Sequence, residues 1–337
     1  IAADAIVIAT GATPAVPPIP GLAEAGYLTN ETAYELEDLP ESLIVLGGNY
    51  IGLENAQMFA RLGSKVTVLE LLPQILPTEQ SDVAEELLRQ FRSEGIEVVT
   101  GAATRRVYRE KGEVVLEVQV GKDRRQFRAG QVLVATGRKP NTANMGLETV
   151  GVAMDEKGFL QVDDTLQTSV PGIYGAGDVI GGYMFVYTAA YEGKLAAENA
   201  LSEQKQPRDY TPLPWVIFTD PQIAGVGWDE VQARQRGIDA EATTLPLSEV
   251  PRAIAARDTR GFIKLIRDRE SDKLIGARIV APEGSELLME VTLAIKYGLT
   301  ANEIVSLFHP YLTLSEGIKL AAISFGKEVS ALSCCAT

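Results

Sequence analysis

Short apolar runs alternate with amphipathic stretches along most of the chain. Ala5-Ile6-Val7-Ile8-Ala9 reads as a buried strand ending in Ala9-Thr10-Gly11. A proline-rich link over 16–21 follows, too stiff for a helix. The next apolar run, 42–46, enters the glycine-rich turn Gly47-Gly48-Asn49-Tyr50-Ile51-Gly52. The spacing predicts a helix from about Ile51 to Leu62, stopped by Gly63, and a second strand over 65–69 that ends at Glu70. A helix over 82–94, a strand over 96–99 and an antiparallel meander over 104–127 come next, with turns at Gly112 and Gly121-Lys122-Asp123. Residues 131–137 repeat the opening pattern of a strand followed by Ala135-Thr136-Gly137. A short strand then runs through Ile173-Tyr174 into Gly177-Asp178, before a helix over 188–201. Beyond the polar, proline-bearing stretch 204–214 come strands at 261–268 and 273–280 and helices at 283–297, 301–307 and 314–325. Strands alternating with helices give an α/β class, and the last third reads as an α+β domain.

Composition narrows the possibilities. The 337 residues suffice for two or three domains. A formal net charge of −14 argues against non-specific binding to nucleic acid or to an anionic membrane surface. No apolar run approaches the roughly 20 residues needed to span a bilayer. The low cysteine count fits a reducing cytoplasm. The single histidine, His309, makes multi-histidine metal sites and Ser-His-Asp chemistry improbable within one chain. The chain opens at Ile1, without methionine and almost within a strand, so a preceding N-terminal portion is expected.

The turn at 47–52 has the chemistry of a dinucleotide site. Pyrophosphate needs backbone N–H groups at a helix N-terminus with no side chain in the way. Gly47 and Gly52 fit the first and third glycines of the fingerprint, Gly48 is counted with them among the cofactor-binding residues, and Asn49 takes the middle position, where its side chain crowds the approach. Glu70 lies some 20 residues beyond the turn, where a carboxylate accepts both adenosine ribose hydroxyls and repels a 2′-phosphate. Residues 71–74 carry no Arg or Lys to pair with such a phosphate, which favours NADH over NADPH. The alternative is a solvated carboxylate at a strand end. Glu54 is either a first-turn charge favoured by the helix dipole or a group beside the nicotinamide.

The two cysteines, Cys334 and Cys335, are adjacent near the end of the chain. A disulfide between sequence neighbours is strained, so a stability staple is unlikely chemistry for them. Two thiolates form a soft clamp for a soft metal ion, against the plainer reading of two incidental cysteines.

The two Ala-Thr-Gly turns around a βαβ unit, the run Ala135-Thr136-Gly137-Arg138-Lys139-Pro140-Asn141 and the later Ile173-Tyr174-Gly175-Ala176-Gly177-Asp178 resemble the flavin disulfide reductases in this order. The likeness covers essentially the whole chain. Three features look like the mercuric reductase branch of that family. Phe185-Val186-Tyr187 follows the Gly-Asp segment. Tyr311-Leu312-Thr313-Leu314-Ser315-Glu316 stands where disulfide-reducing members carry a catalytic histidine in His-Pro-Thr-x-x-Glu. The ending is Leu332-Ser333-Cys334-Cys335-Ala336.

The resemblance implies a Rossmann-like nicotinamide domain (39–140) inserted in a partial FAD domain (1–38 with its linker, and 141–211). A C-terminal dimerisation domain (212–337) carries the Cys-Cys tail. It implies FAD contacts at Asp178, with Thr10, Gly11, Gly137 and Arg138 in the cofactor-binding segments, and NADH or NADPH at 47–52 with Glu54 and Glu70. It also implies a homodimer in which Cys334 and Cys335 capture Hg(II) and pass it to an inner thiol pair of the other subunit. Tyr311 holds the ion and Glu316 belongs to the same catalytic segment. Hydride passes from the nicotinamide to FAD, and two electrons release Hg(0). His309 reads as a structural or interface residue. The family's front βαβ fingerprint, its Cys-x4-Cys pair and the lysine that partners Glu54 are not in these 337 residues, so the chain alone is expected not to turn over. The alternatives are a lipoamide-dehydrogenase-like oxidoreductase and a non-catalytic metal-binding and dimerisation module.

Overall fold

The apolar runs Ser42–Leu46 and Lys65–Leu69 pair in parallel, Leu43 beside Val66 and Val45 beside Val68. Leu43, Ile44, Val45 and Leu46 are all buried, as expected of a strand covered on both faces. The computed structural model describes residues 2–328. The chain forms two compact units. One takes the residues up to Pro18, Thr29–Glu31 and Val134–Asp209; the other takes Ile19–Leu28, Thr32–Leu133 and Tyr210 onward.

In the second unit a four-stranded sheet has the order Glu97–Val99, Lys65–Leu69, Ser42–Leu46, Gln131–Val134. The helix Tyr50–Leu62 begins one residue before the predicted start and ends at Gly63, whose φ of 118° most side chains avoid. The meander comprises Ala102–Glu110, Glu113–Val120 and Asp123–Ala129, with turns at the predicted glycines. Further along, a five-stranded antiparallel sheet has the order Trp215–Ile217, Gln222–Gly227, Leu274–Ala281, Phe262–Asp268, Ala240–Pro246. The helix Gly284–Tyr297 lays Leu287, Leu288, Val291, Ala294 and Ile295 on Ala224, Val226, Ile279 and their neighbours. The helix predicted over 314–325 is shorter, Glu316–Ile323, because Thr313 Oγ1 donates to the Pro310 carbonyl at 2.8 Å and holds the preceding residues in a turn.

One face of the helix Tyr50–Leu62 binds the segment that opens the antiparallel sheet. The Tyr50 ring stacks on Trp215 with centroids 5.8 Å apart. Glu54 Oε1 accepts from the Phe218 N–H at 2.8 Å. Gln57 accepts from the Asp220 N–H and donates to its carbonyl, both at 2.8 Å. Arg61 donates to the Asp220 carboxylate at 2.7 Å. Positions 50, 54, 57 and 61 share a face because helical neighbours recur every three to four residues.

In the first unit Ile6–Ile8 pairs in parallel with Ile173–Gly175. The opening strand is not buried as predicted: Ile6 is 50% and Val7 40% exposed. Apolar composition alone does not cover both faces, and only Ile8 packs into the cluster of Leu147, Val152, Leu160 and Val179. The helix Val186–Leu201 packs Leu195 and Ala196 against Leu166, Tyr174 and Ala176.

Two expectations follow. A Cβ at Gly276 would lie 1.9 Å from the Trp228 carbonyl oxygen, which backbone cannot yield cheaply. Gly276→Ala should therefore destabilise the chain by about 3 kcal/mol, as overpacking does, measured by urea denaturation. Burial raises the Glu54 carboxyl above its ordinary 4.5, with the Phe218 N–H pulling it partly back. A folded pKa above the unfolded one means that the folded chain holds the proton more tightly, so stability falls as pH rises from 4.5 through the raised value. Glu54→Gln keeps an acceptor for Phe218 and loses this dependence. Its denaturation midpoint should gain on that of the unmodified chain across the interval; parallel curves throughout would exclude a buried, ionising Glu54.

Candidate functional site

The strand Ser42–Leu46 delivers its chain to Gly47, whose φ is 110° and whose N–H donates to the Leu69 carbonyl at 2.9 Å. Gly48 then passes so close to the neighbouring chain that a Cβ there would lie 2.8 Å from Ile75 Cγ2 and 3.0 Å from Glu70 Cβ. Asn49 is exposed and extended, and its side chain makes no capping hydrogen bond to the helix Tyr50–Leu62. Tyr50, Ile51 and Gly52 form the first turn of that 13-residue helix, at the residues predicted to meet pyrophosphate, and Asn49 supplies it no side-chain cap. This cradle, with Gly48 giving it room, fits a dinucleotide phosphate.

Glu70 is not the solvated strand-end carboxylate of the alternative reading. It is buried; Oε2 accepts from the Gly48 N–H at 2.6 Å and Oε1 from the Leu72 N–H at 2.7 Å. A carboxylate at the end of the second strand thus braces the glycine turn. Glu54 is not a first-turn charge either, since the first turn of its helix carries no acid.

In the first unit the two Ala-Thr-Gly turns meet. Ala12–Pro14 and Arg138–Pro140 form an antiparallel ribbon. Thr10 Oγ1 donates to the Asn141 carbonyl at 2.8 Å, and Asn141 Nδ2 donates to the Thr10 carbonyl at 2.9 Å. Asn141 N–H reaches the Gly11 carbonyl, Ala15 N–H reaches that of Gly137, and Thr136 Oγ1 that of Ala15. Arg138 donates to the Ala12 carbonyl, while its Nε is buried without a hydrogen-bond partner, 3.3 Å from Asp178 Oδ2. The short 3-10 turn Gly177–Ile180 carries Asp178, and Glu192 Oε2 accepts the Gly177 N–H at 2.7 Å. Asp178 as acceptor beside a cation with an unsatisfied N–H fits a ligand bearing hydroxyl and phosphate groups.

Tyr311 is 63% exposed, on a turn whose next residue, Leu312, has φ 67°. Glu316 is buried beneath this turn, and its Oε2 accepts the Leu312 N–H at 3.3 Å. Its place is that of a brace for the residue after Tyr311. His309 Nε2 lies 2.7 Å from Glu290 Oε1, a pairing that agrees with a structural role. Cys334 and Cys335 lie outside the described residues. Among the described residues no group of three or more His, Cys, Asp or Glu side chains could hold a metal ion, and no helix is long and apolar enough to cross a membrane.

Several contributors escaped the sequence reading. Trp215 and the Phe218 N–H are far from the glycine turn in sequence, and no local pattern announces them. Glu192 lies within the helix expected over 188–201, where nothing in the local sequence sets it apart. Glu79 and Arg278 form a buried ion pair, Nε to Oε2 2.5 Å, across 199 positions.

The chain matches the family model described as pyridine nucleotide-disulphide oxidoreductase over residues 1–193, and that of the corresponding dimerisation domain over 213–322. It is 46% identical to the mercuric reductase of Streptomyces lividans over 98% of its own length and 69% of that protein's. It is 43% identical to the mercuric reductase of Staphylococcus aureus over 100% of its own length, and spans 61% of that relative. Among solved structures it is similar to the HOCl-induced flavoprotein disulfide reductase RclA of Escherichia coli in its Cu(II) complex, with a TM-score of 0.87, 33% identity, and coverage of 96% of this chain and 74% of that one. LpdA of Mycobacterium tuberculosis gives a TM-score of 0.87 at 32% identity, over 96% of this chain and 70% of that one. With a braced glycine turn at the head of a βαβ unit and family models matched on both sides of residue 200, the chain belongs to the pyridine nucleotide-disulphide oxidoreductase family.

Proposed function

We propose that the chain is the dinucleotide-binding and metal-capturing part of an NAD(P)H-dependent reductase of Hg(II). The observation that carries this reading is identity of 40–46% with mercuric reductases along 98–100% of the chain. Tyr311 and the Cys334-Cys335 pair support it from the residues themselves.

On this reading the nicotinamide dinucleotide lays its pyrophosphate on the uncapped N–H groups after Asn49. Glu70 takes the ribose hydroxyls and repels a 2′-phosphate, so NADH is favoured over NADPH. A flavin, when bound, would supply two-electron redox chemistry, and Asp178 and Arg138 are the residues of this chain that would hold it. Cys334 and Cys335 take Hg(II) as thiolates and release it by stepwise exchange, one sulfur bond forming as another breaks. The exposed Tyr311 phenol offers the ion an oxygen. The chain's sulfur nucleophiles are these two cysteines, so turnover by the 337 residues alone is not expected. The chain works as a cytoplasmic homodimer. Met289, Leu293 and Tyr297 stand exposed at four-residue spacing on the helix Gly284–Tyr297, with Phe308 exposed beyond it, and a dimer would cover such a stripe.

Two measurements test the reading. In a thiol-buffered titration, the double variant Cys334→Ser, Cys335→Ser should lose the tight Hg(II) site; an unchanged stoichiometry removes the clamp. In equilibrium titrations with each cofactor, Glu70→Ala removes the brace of the glycine turn as well as the ribose acceptor, so both cofactors should bind more weakly, with NADH losing about tenfold more than NADPH, the worth of one charge-assisted contact. Tighter binding of NADPH than NADH by the unmodified chain would overturn the argument from Glu70.

A further inference from the structure

The segment after Glu70 is tied to the glycine turn at one end and to the antiparallel sheet at the other. Near the turn, the Leu76 N–H donates to the Gly48 carbonyl at 2.9 Å, and Ile75 closes over Gly48. Ile75 and Leu76 are fully buried. Leu76 has φ 49°, a strained conformation for a branched side chain, which persists only where the surroundings enforce it. From there the segment turns back on itself: the Glu79 N–H donates to the Leu76 carbonyl, and Gln74 Nε2 to the Glu79 carbonyl, both at 2.9 Å.

At the far end the segment meets two buried cations. Lys264 and Arg278 are direct cross-strand partners in the antiparallel sheet, with side chains 6% and 2% exposed. Like charges placed opposite one another repel, and each alone would be costly to bury. The segment supplies the compensation. Glu79 Oε2 accepts from Arg278 Nε at 2.5 Å, while Gln80 Oε1 and Asp82 Oδ2 accept from Lys264 Nζ at 2.9 Å. From outside the segment, Glu230 Oε1 lies 2.8 Å from Lys264 Nζ and Asp229 Oδ2 4.0 Å from Arg278 Nη2. Every residue from 74 to 82 that bonds to the sheet therefore sits within a few positions of the strained Leu76.

We propose that Glu79 and Arg278 are positioning residues for dinucleotide binding: their ion pair holds Leu76 in its strained conformation, and Leu76 holds the Gly48 carbonyl of the phosphate turn. The inference rests on the reading that residues 47–52 bind NAD(P)H. It assigns a role to a pair remote from the cofactor, acting through the backbone.

The full chain is titrated with NADH, followed by nicotinamide fluorescence, as the unmodified protein, as Glu79→Gln and as Glu241→Gln. The last breaks the Arg267–Glu241 pair of the same sheet, which does not touch the segment. All three are measured where circular dichroism shows them folded. Glu79→Gln should weaken NADH at least fivefold, and Glu241→Gln should leave it within twofold. A lowered melting temperature for Glu79→Gln with unchanged affinity would reduce the pair to a structural one and overturn the proposal. If Glu79→Gln does not fold, Arg278→Lys, which keeps the charge and loses the guanidinium geometry, is read in the same way. If the unmodified chain does not bind NADH, the dinucleotide reading fails by itself. Amide exchange at Leu76 and Gly48 then decides the positioning: it should quicken about tenfold in Glu79→Gln over Glu241→Gln, and equal rates refute it.

Discussion

The Glu70 carboxylate lies beneath the glycine turn, and the geometry of that turn and of the helix it opens depends on the contact. Burying a carboxylate costs several kcal/mol, and two N–H bonds to a charged acceptor return roughly 1.5–3 kcal/mol each. The balance closes only if both donors are backbone groups held in place, and Gly48 and Leu72 are such groups. The same contact explains the glycine. With Glu70 Oε2 as close as 3.1 Å to a would-be Cβ, residue 48 can have no side chain while Glu70 stays where it is. The acid and the glycine are two halves of one constraint.

This contact marks the division between what the sequence discloses and what it does not. The glycine turn, the strand lengths and Glu70 follow local rules: periodicity, turn chemistry and the span of a βαβ unit. Those rules placed the helix Tyr50–Leu62 and the meander almost to the residue. They could not place Glu70 under Gly48 as a brace, because that depends on how far the second strand runs before it bends. The opening strand failed for a related reason. Periodicity reports that Ile6 and Val7 are apolar, while their burial is decided by whatever covers the sheet. At Tyr311 neither the exposure nor the turn was read: the helix expected from 314 begins only at Glu316, because Thr313 bonds back to the Pro310 carbonyl.

Long-range charge was the least legible feature. Nothing near Lys264 or Arg278 in sequence says that they will face one another on adjacent strands, and their acids come from 79–82 and 230. A pair of apolar residues would fill the same space at lower desolvation cost, as replacements of buried ion pairs elsewhere indicate. What an apolar pair would not supply is register. Carboxylates of fixed length, bonded to cations on two particular strands, permit the 74–82 segment one position along the sheet. A segment that must hold a residue at positive φ needs that restriction, since a looser attachment would let Leu76 relax and release the Gly48 carbonyl.

The ribbon of the first unit solves a similar problem with neutral groups. Its two arms come from turns of the same composition, Ala-Thr-Gly, 126 positions apart, and each threonine hydroxyl caps a carbonyl on the opposite arm. A strand pair of three residues has too few ladder bonds to hold its register, so side chains must add to them. Asn141 does this twice, through its backbone N–H and its amide, and thereby fixes the arm that carries Arg138. Arg138 Nη2 donates to the Ala12 carbonyl across the ribbon, and Nε lies 3.3 Å from Asp178 Oδ2. The repeated motif is thus a mutual clasp, and the cation it orients is held beside Asp178.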